Sequence, residues 1–179
     1  MRKAILTVYV AVMSALSEVL FVMTTITCLI LPKTCYARWL LLGAIAQTRF
    51  KLGMLAVSKR LSFELLKQAD NHVDDWNYGN AIHLANTLLG RIALREGDVT
   101  AAKRYLIASG QTRGSPQLNT FGPNMRLANE LLRAGERGVV LEYFKHCSKF
   151  WASEFSRLNQ WEKDICEGRR PRFGPNLYY

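Results

Sequence analysis

Histidine, cysteine and acidic residues are all scarce in this chain of 179 residues, and each scarcity removes a class of function. The histidines, His72, His83 and His146, lie far apart, and none stands in a metal-ligand or triad pattern. His83 falls near a helix start, where a solvent-facing or capping role is the expectation. Cys28, Cys35, Cys147 and Cys166 form no CxxC pair, and free, mostly buried thiols are expected. No GxGxxG, Walker-type loop, HExxH or GxSxG occurs. Asp74 and Asp75 are adjacent carboxylates, but on a polar loop they are expected to cap and solubilise rather than to exchange protons. No metal, cofactor or catalytic residue is therefore expected, and the chain reads as non-enzymatic.

Acidic residues are rarest toward the N-terminus. Residues 1–68 hold nine Lys/Arg and two Asp/Glu, with none between Glu18 and Glu64. Residues 69–179 hold fifteen against twelve. The formal charge of +10 is thus concentrated in and around a hydrophobic segment, which removes most of the support for nucleic-acid binding by the folded half. A regulatory or nucleic-acid-associated role for the basic stretch 33–60 is the alternative reading. At 49% apolar and 21% charged residues the chain is not disordered, and its length suits one modest domain with an appendage.

That appendage is residues 1–36. Positions 4–31 form an apolar run broken by one charge, Glu18, and longer than the roughly 20 residues that span a bilayer. A membrane anchor is the first reading. The flanking Lys33, Arg38, Arg49 and Lys51 against Arg2 and Lys3 place the rest of the chain on the cytoplasmic side. A cleaved signal is the second, with Cys35-Tyr36-Ala37 as the peptidase site and a secreted or periplasmic product. A buried helix or a misassigned start is the third. Cys28 follows Thr25, Ile26 and Thr27, which do not suit lipoprotein acylation.

From Trp39 to Leu66, Leu42, Ile45, Ala46, Leu52, Leu55, Leu61 and Leu65 recur at irregular helical spacing, giving one or two amphipathic lead-in helices within 37–69. Residues 70–80 are turn-rich. Asp74, Asp75 and Asn77 are N-cap candidates there, and Trp76 and Tyr78 are expected to pin the loop to the core.

Residues 84–109 then read as two helices joined at Gly97. Leu84, Leu88, Leu89, Ile92 and Ala93 share one helical face, and Val99, Ala102, Leu106 and Ser109 another. A weaker copy runs from Met125 to Trp151, with Leu127, Ala128, Leu131, Val140, Phe144 and Cys147 in register and Gly135 placed 38 residues after Gly97. Leu89-Gly90, Gly97, Ala102 and Leu106 fall at the spacings of a tetratricopeptide repeat, and the segment resembles one. Asn86 stands where that pattern has Trp, Ala93 where it has a bulky aromatic, and the closing Pro is missing. Residues 76–177 as a whole are similar to bacterial proteins with one such hairpin and an SPQLxxFGPN-type loop.

The resemblance implies an all-α fold over 70–179, with antiparallel helical hairpins stacked as a short TPR-like array, and the apolar run adds an N-terminal hydrophobic helix before it. It implies an interaction scaffold that binds a protein or peptide. Helix A positions would line the groove: Thr87, Arg91 and Arg95 from the first copy, Asn129 and Arg133 from the second. Guanidinium forks beside an amide suit an acidic peptide. Residues 4–31 would supply the membrane contact, and whether a small-molecule ligand binds is left open.

Residues 110–124 are a loop by composition, ending in Phe121-Gly122-Pro123-Asn124. The same four residue types return as Phe173-Gly174-Pro175-Asn176. In the first copy Phe is expected to anchor, Gly to turn and Pro to fix φ before a helix. The second copy is expected to dock as an aromatic-rich tail. Phe155, Leu158, Trp161 and Ile165 precede it at the spacing of one further amphipathic helix.

Overall fold

Among the residues that the computed structural model describes, 35–151 and 155–178, every regular element is helical. The N-terminal run 4–31 lies outside them, and none of the described helices is long and apolar enough to cross a membrane. Helices α1 (Tyr36–Lys51), α2 (Leu55–Ala69), α3 (Tyr78–Arg95) and α4 (Val99–Gly110) come first. The short α5 (Pro116–Phe121), α6 (Arg126–Arg133), α7 (Arg137–Cys147) and α8 (Phe155–Cys166) come after them.

Three pairs, α1/α2, α3/α4 and α6/α7, are joined by the same turn. At each, a glycine follows the last helical turn with φ of +76°, +82° and +85°, for Gly53, Gly97 and Gly135. The residue after the glycine donates its N–H five residues back, Met54 to Arg49, Asp98 to Ala93 and Glu136 to Leu131. This closure satisfies carbonyls that a helix end leaves open, and a side chain at the glycine would be strained. The middle hairpin is reinforced by Asp98, whose carboxylate accepts from the Ala101 N–H at 2.8 Å. Residues 36–69 are thus a full hairpin, packed against α3 through Trp39, Leu42, Leu65, Ala81, Ala85 and Leu88.

Successive pairs stack. Helix α3 lies against α1 and α2, α6 against α3 and α4, and α7 against α4. Close approach is built from small residues. A side chain on Gly43 would meet Leu84, and one on Gly90 would collide with Leu127, each leucine coming from the next pair. Beyond α7, Phe144, Trp151, Trp161 and Phe173 form an aromatic cluster that seats α8 and the tail. Leu158, Trp161 and Ile165 are buried as the helical spacing predicts.

Two sequence expectations are corrected. The stretch 110–124 contains a helix, α5, because Ser115 caps it through the Leu118 N–H at 3.0 Å and Pro116 occupies its first turn. Among the described residues the thiols are not mostly buried: Cys147 is, Cys35 is half-buried and Cys166 exposed, all three free, while Cys28 lies outside the described residues.

Candidate functional site

Helix α3 presents Asn80, His83, Leu84, Thr87, Leu88 and Arg91 at three- and four-residue spacing, so they share one face. Gln47 of α1 borders that face on one side. On the other stand Gln117, Leu118, Phe121 and Gly122 of α5 and its end, followed by Asn124 and Arg126. Together they enclose a pocket of about 410 Å³ with largely apolar walls.

The far wall is held by hydrogen bonds in addition to the core that Leu118 joins. Ser115 Oγ donates to Asn80 Oδ1 at 2.6 Å, and Asn80 Nδ2 donates to Gln117 Oε1 at 2.9 Å. The Asn124 N–H donates to His83 Nε2 at 2.9 Å. Nδ1 of the same ring must then carry the proton, which it donates to the Ser109 carbonyl 3.0 Å away. One imidazole therefore ties α3 to the end of α4 and to the FGPN loop. Burial pushes the His83 pKa down to about 4, so the ring is neutral at pH 7. The expectation of a solvent-facing or capping His83 is overturned: the residue is 5% exposed, because both of its nitrogens find buried backbone partners.

The second FGPN copy supports the first. Asn176 Nδ2 donates to the carbonyls of Phe121 and Pro123 at 3.1 and 3.0 Å, and the Asn176 carbonyl accepts from the Met125 N–H at 2.8 Å. Arg126 Nε donates to the Leu177 carbonyl. Gly122 has φ +82°, and a side chain there would run into the Trp151 ring. The two phenylalanines diverge. Phe173 is 2% exposed inside the aromatic cluster, whereas Phe121 does not anchor its loop and is 64% exposed at the pocket.

The five groove positions read from the sequence lie on α3 and α6, and the structure separates their roles. Thr87 lines the pocket, 4% exposed, and its hydroxyl is buried without a hydrogen-bond partner. Such a group costs about 1–3 kcal/mol. Arg91 also lines the pocket, but its Nε and one Nη engage Glu130 at 2.7–3.0 Å, and its guanidinium lies 4.5 Å over the Phe50 ring. Arg95 is exposed, 4.1 Å over the same ring. Arg91, Leu94, Arg95, Glu130 and Arg133 form a second, shallower depression of about 310 Å³. Three arginines against one glutamate leave it positive. Asn129 is half-buried and lines neither depression. The partner of Arg91, 39 residues away, is invisible to helical spacing, and so is the pocket.

Elsewhere, basic residues of the 33–60 stretch are engaged within the fold: Arg38 pairs with Glu64 and Lys59 with Glu96, each at 2.7 Å. In the 70–80 turn, Asp75 accepts from the Asn77 N–H and from the Tyr36 hydroxyl, while Asn77 makes no side-chain cap. Trp76, expected to pin that turn to the core, is 51% exposed. Tyr78 is half-buried beneath the Arg113 guanidinium. Among the described residues no group of three or more His, Cys, Asp or Glu side chains could hold a metal ion. No protein-family model, curated protein or solved structure matches the chain.

Proposed function

We propose that this chain is a non-enzymatic interaction scaffold of TPR-like type, in which the face made by α1, α3 and α6 binds a protein or an acidic peptide. The observation that carries this reading is the continuity of that face. The apolar pocket and the arginine depression share Arg91, so one surface offers a greasy recess beside a positive patch. A bound segment can bury apolar area in the first and place carboxylates against Arg95 and Arg133 in the second. The repeated hairpin turn and glycine-mediated stacking support the array. In the same reading, residues 4–31 tether the scaffold to a membrane, with the helical part on the cytoplasmic side.

The test uses full-length protein and fluorescence anisotropy with an acidic peptide and the same peptide carrying glutamines for glutamates. The acidic form should bind about tenfold tighter or more. Arg95→Glu combined with Arg133→Glu should remove that preference while leaving the helical circular dichroism unchanged, since both side chains are exposed. Equal binding of the two peptides by the unaltered protein would refute the groove reading.

A further inference from the structure

We infer that the pocket between α1, α3 and the α5–FGPN wall is a binding site for a small amphipathic carboxylic acid, whose apolar chain fills the recess and whose carboxylate pairs with Arg126. This goes beyond the peptide-binding reading, since it assigns a second ligand of different size to the same face.

Three observations converge on it. The first is shape: a recess of about 410 Å³, walled on three sides and mainly apolar, has the dimensions of small-molecule sites. The second is charge. Among the described residues Arg126 makes no ion pair, and its one side-chain hydrogen bond, from Nε to the Leu177 carbonyl, leaves both terminal nitrogens of the guanidinium without a partner. The other guanidinium on the lining, Arg91, is already met by Glu130. Of the ionisable groups lining the pocket, His83 has both nitrogens occupied, so a single uncompensated cation remains. One cation at the edge of apolar walls matches one carboxylate; a phosphate would need further donors.

The third observation is an exposed aromatic side chain at the pocket. Phe121 lines the recess and is 64% exposed. A ligand occupying the recess covers its ring. Leu84, Leu88 and Leu118 supply the surface against which an alkyl chain packs. The amides of Gln47, Asn80 and Gln117 stay at the margin, two of them bonded to each other.

Octanoate, octanol and a short peptide with a free C-terminal leucine are the probes, titrated into isotope-labelled full-length protein and followed by the amide resonances of Thr87, Phe121 and Arg126. Octanoate should shift all three and bind about tenfold tighter than octanol. Arg126→Gln should bring octanoate down to the affinity of octanol, Arg126→Lys should restore most of the difference, and Leu84→Trp should weaken both by filling the recess. Failure of octanoate to shift these resonances, or an octanoate affinity no greater than that of octanol, overturns the inference. So does binding of the leucine peptide without binding of octanoate. Because Arg95 and Arg133 lie outside this pocket, acidic-peptide binding that persists when octanoate fails leaves the scaffold reading standing.

Discussion

Acidification should loosen this fold through one residue. His83 has an ordinary pKa near 6.5 when unfolded and about 4 when folded, because its ring is buried with Nε2 already accepting from Asn124. Between those values the unfolded chain binds more protons than the folded one, so stability rises with pH there and is lost as pH falls. The neutral ring's contribution is fully present above pH 6.5 and gone below about 4. Going from pH 7 to 4.5 should cost about 2.5 kcal/mol from this group alone, a large part of the stability of a small domain. Urea titrations across that range, on the protein and on His83→Gln, measure it. Glutamine can accept from the Asn124 N–H and donate to the Ser109 carbonyl, yet it does not titrate. The difference between the two stabilities should therefore shrink toward low pH by about the same 2.5 kcal/mol. Carboxylates such as Asp164, held low by Arg169, act equally on both proteins and cancel. A pH-independent difference would refute the assignment of His83 as a buried neutral latch.

The packing and the sequence give three further expected outcomes. Gly90→Leu would collide with Leu127, and Ala102→Trp would overfill a site with no exposed surface, so each should lower stability by about 1–3 kcal/mol or more, read in thermal melts. Asn176→Ala removes the Nδ2 donor that meets the carbonyls of Phe121 and Pro123, costing about 1–3 kcal/mol, and hydrogen exchange at Asn124 and Met125 should quicken. Full-length protein should resist carbonate extraction from membranes while a chain beginning at Ala37 stays in the supernatant; full-length protein in the supernatant would end the anchor reading.

Local signals make much of the helical organisation legible in the sequence. Gly97 and Gly135 mark their turns because each sits between a periodic apolar run and a polar residue, and Asp98 caps as its chemistry requires. The third turn, at Gly53, is hidden because Leu52 and Met54 flank it, and both are exposed apolar residues that make hydropathy look continuous. His83 misleads for a different reason. Its partners are the Ser109 carbonyl and the Asn124 N–H, 26 and 41 residues away, and backbone groups leave no trace in a side-chain pattern. Arg91 is legible as a helix-face cation but not as half of a pair, since Glu130 belongs to another hairpin.

The FGPN repeat shows how identical residues acquire different work. In the first copy the phenylalanine is left at the pocket rim, while Asn124 turns its side chain onto the Arg126 N–H two residues ahead. In the second the phenylalanine is consumed by Trp161 and Phe144, and the asparagine reaches across to the first copy. The difference comes from the segment on the C-terminal side of each motif. Helix α6 begins directly after the first, so its asparagine serves the helix start, whereas the second lies in a single 3-10 turn over Gly174–Leu177 and its asparagine reaches another segment. A chain of contacts results, from the tail through Asn176 to the FGPN loop, through Asn124 to His83, and through Ser109 to α4. The pocket wall is thereby fixed from a point more than 50 residues downstream. A wall secured by hydrogen bonds at its edges and backed by Trp151 behind Gly122 can hold its shape while the recess stays open.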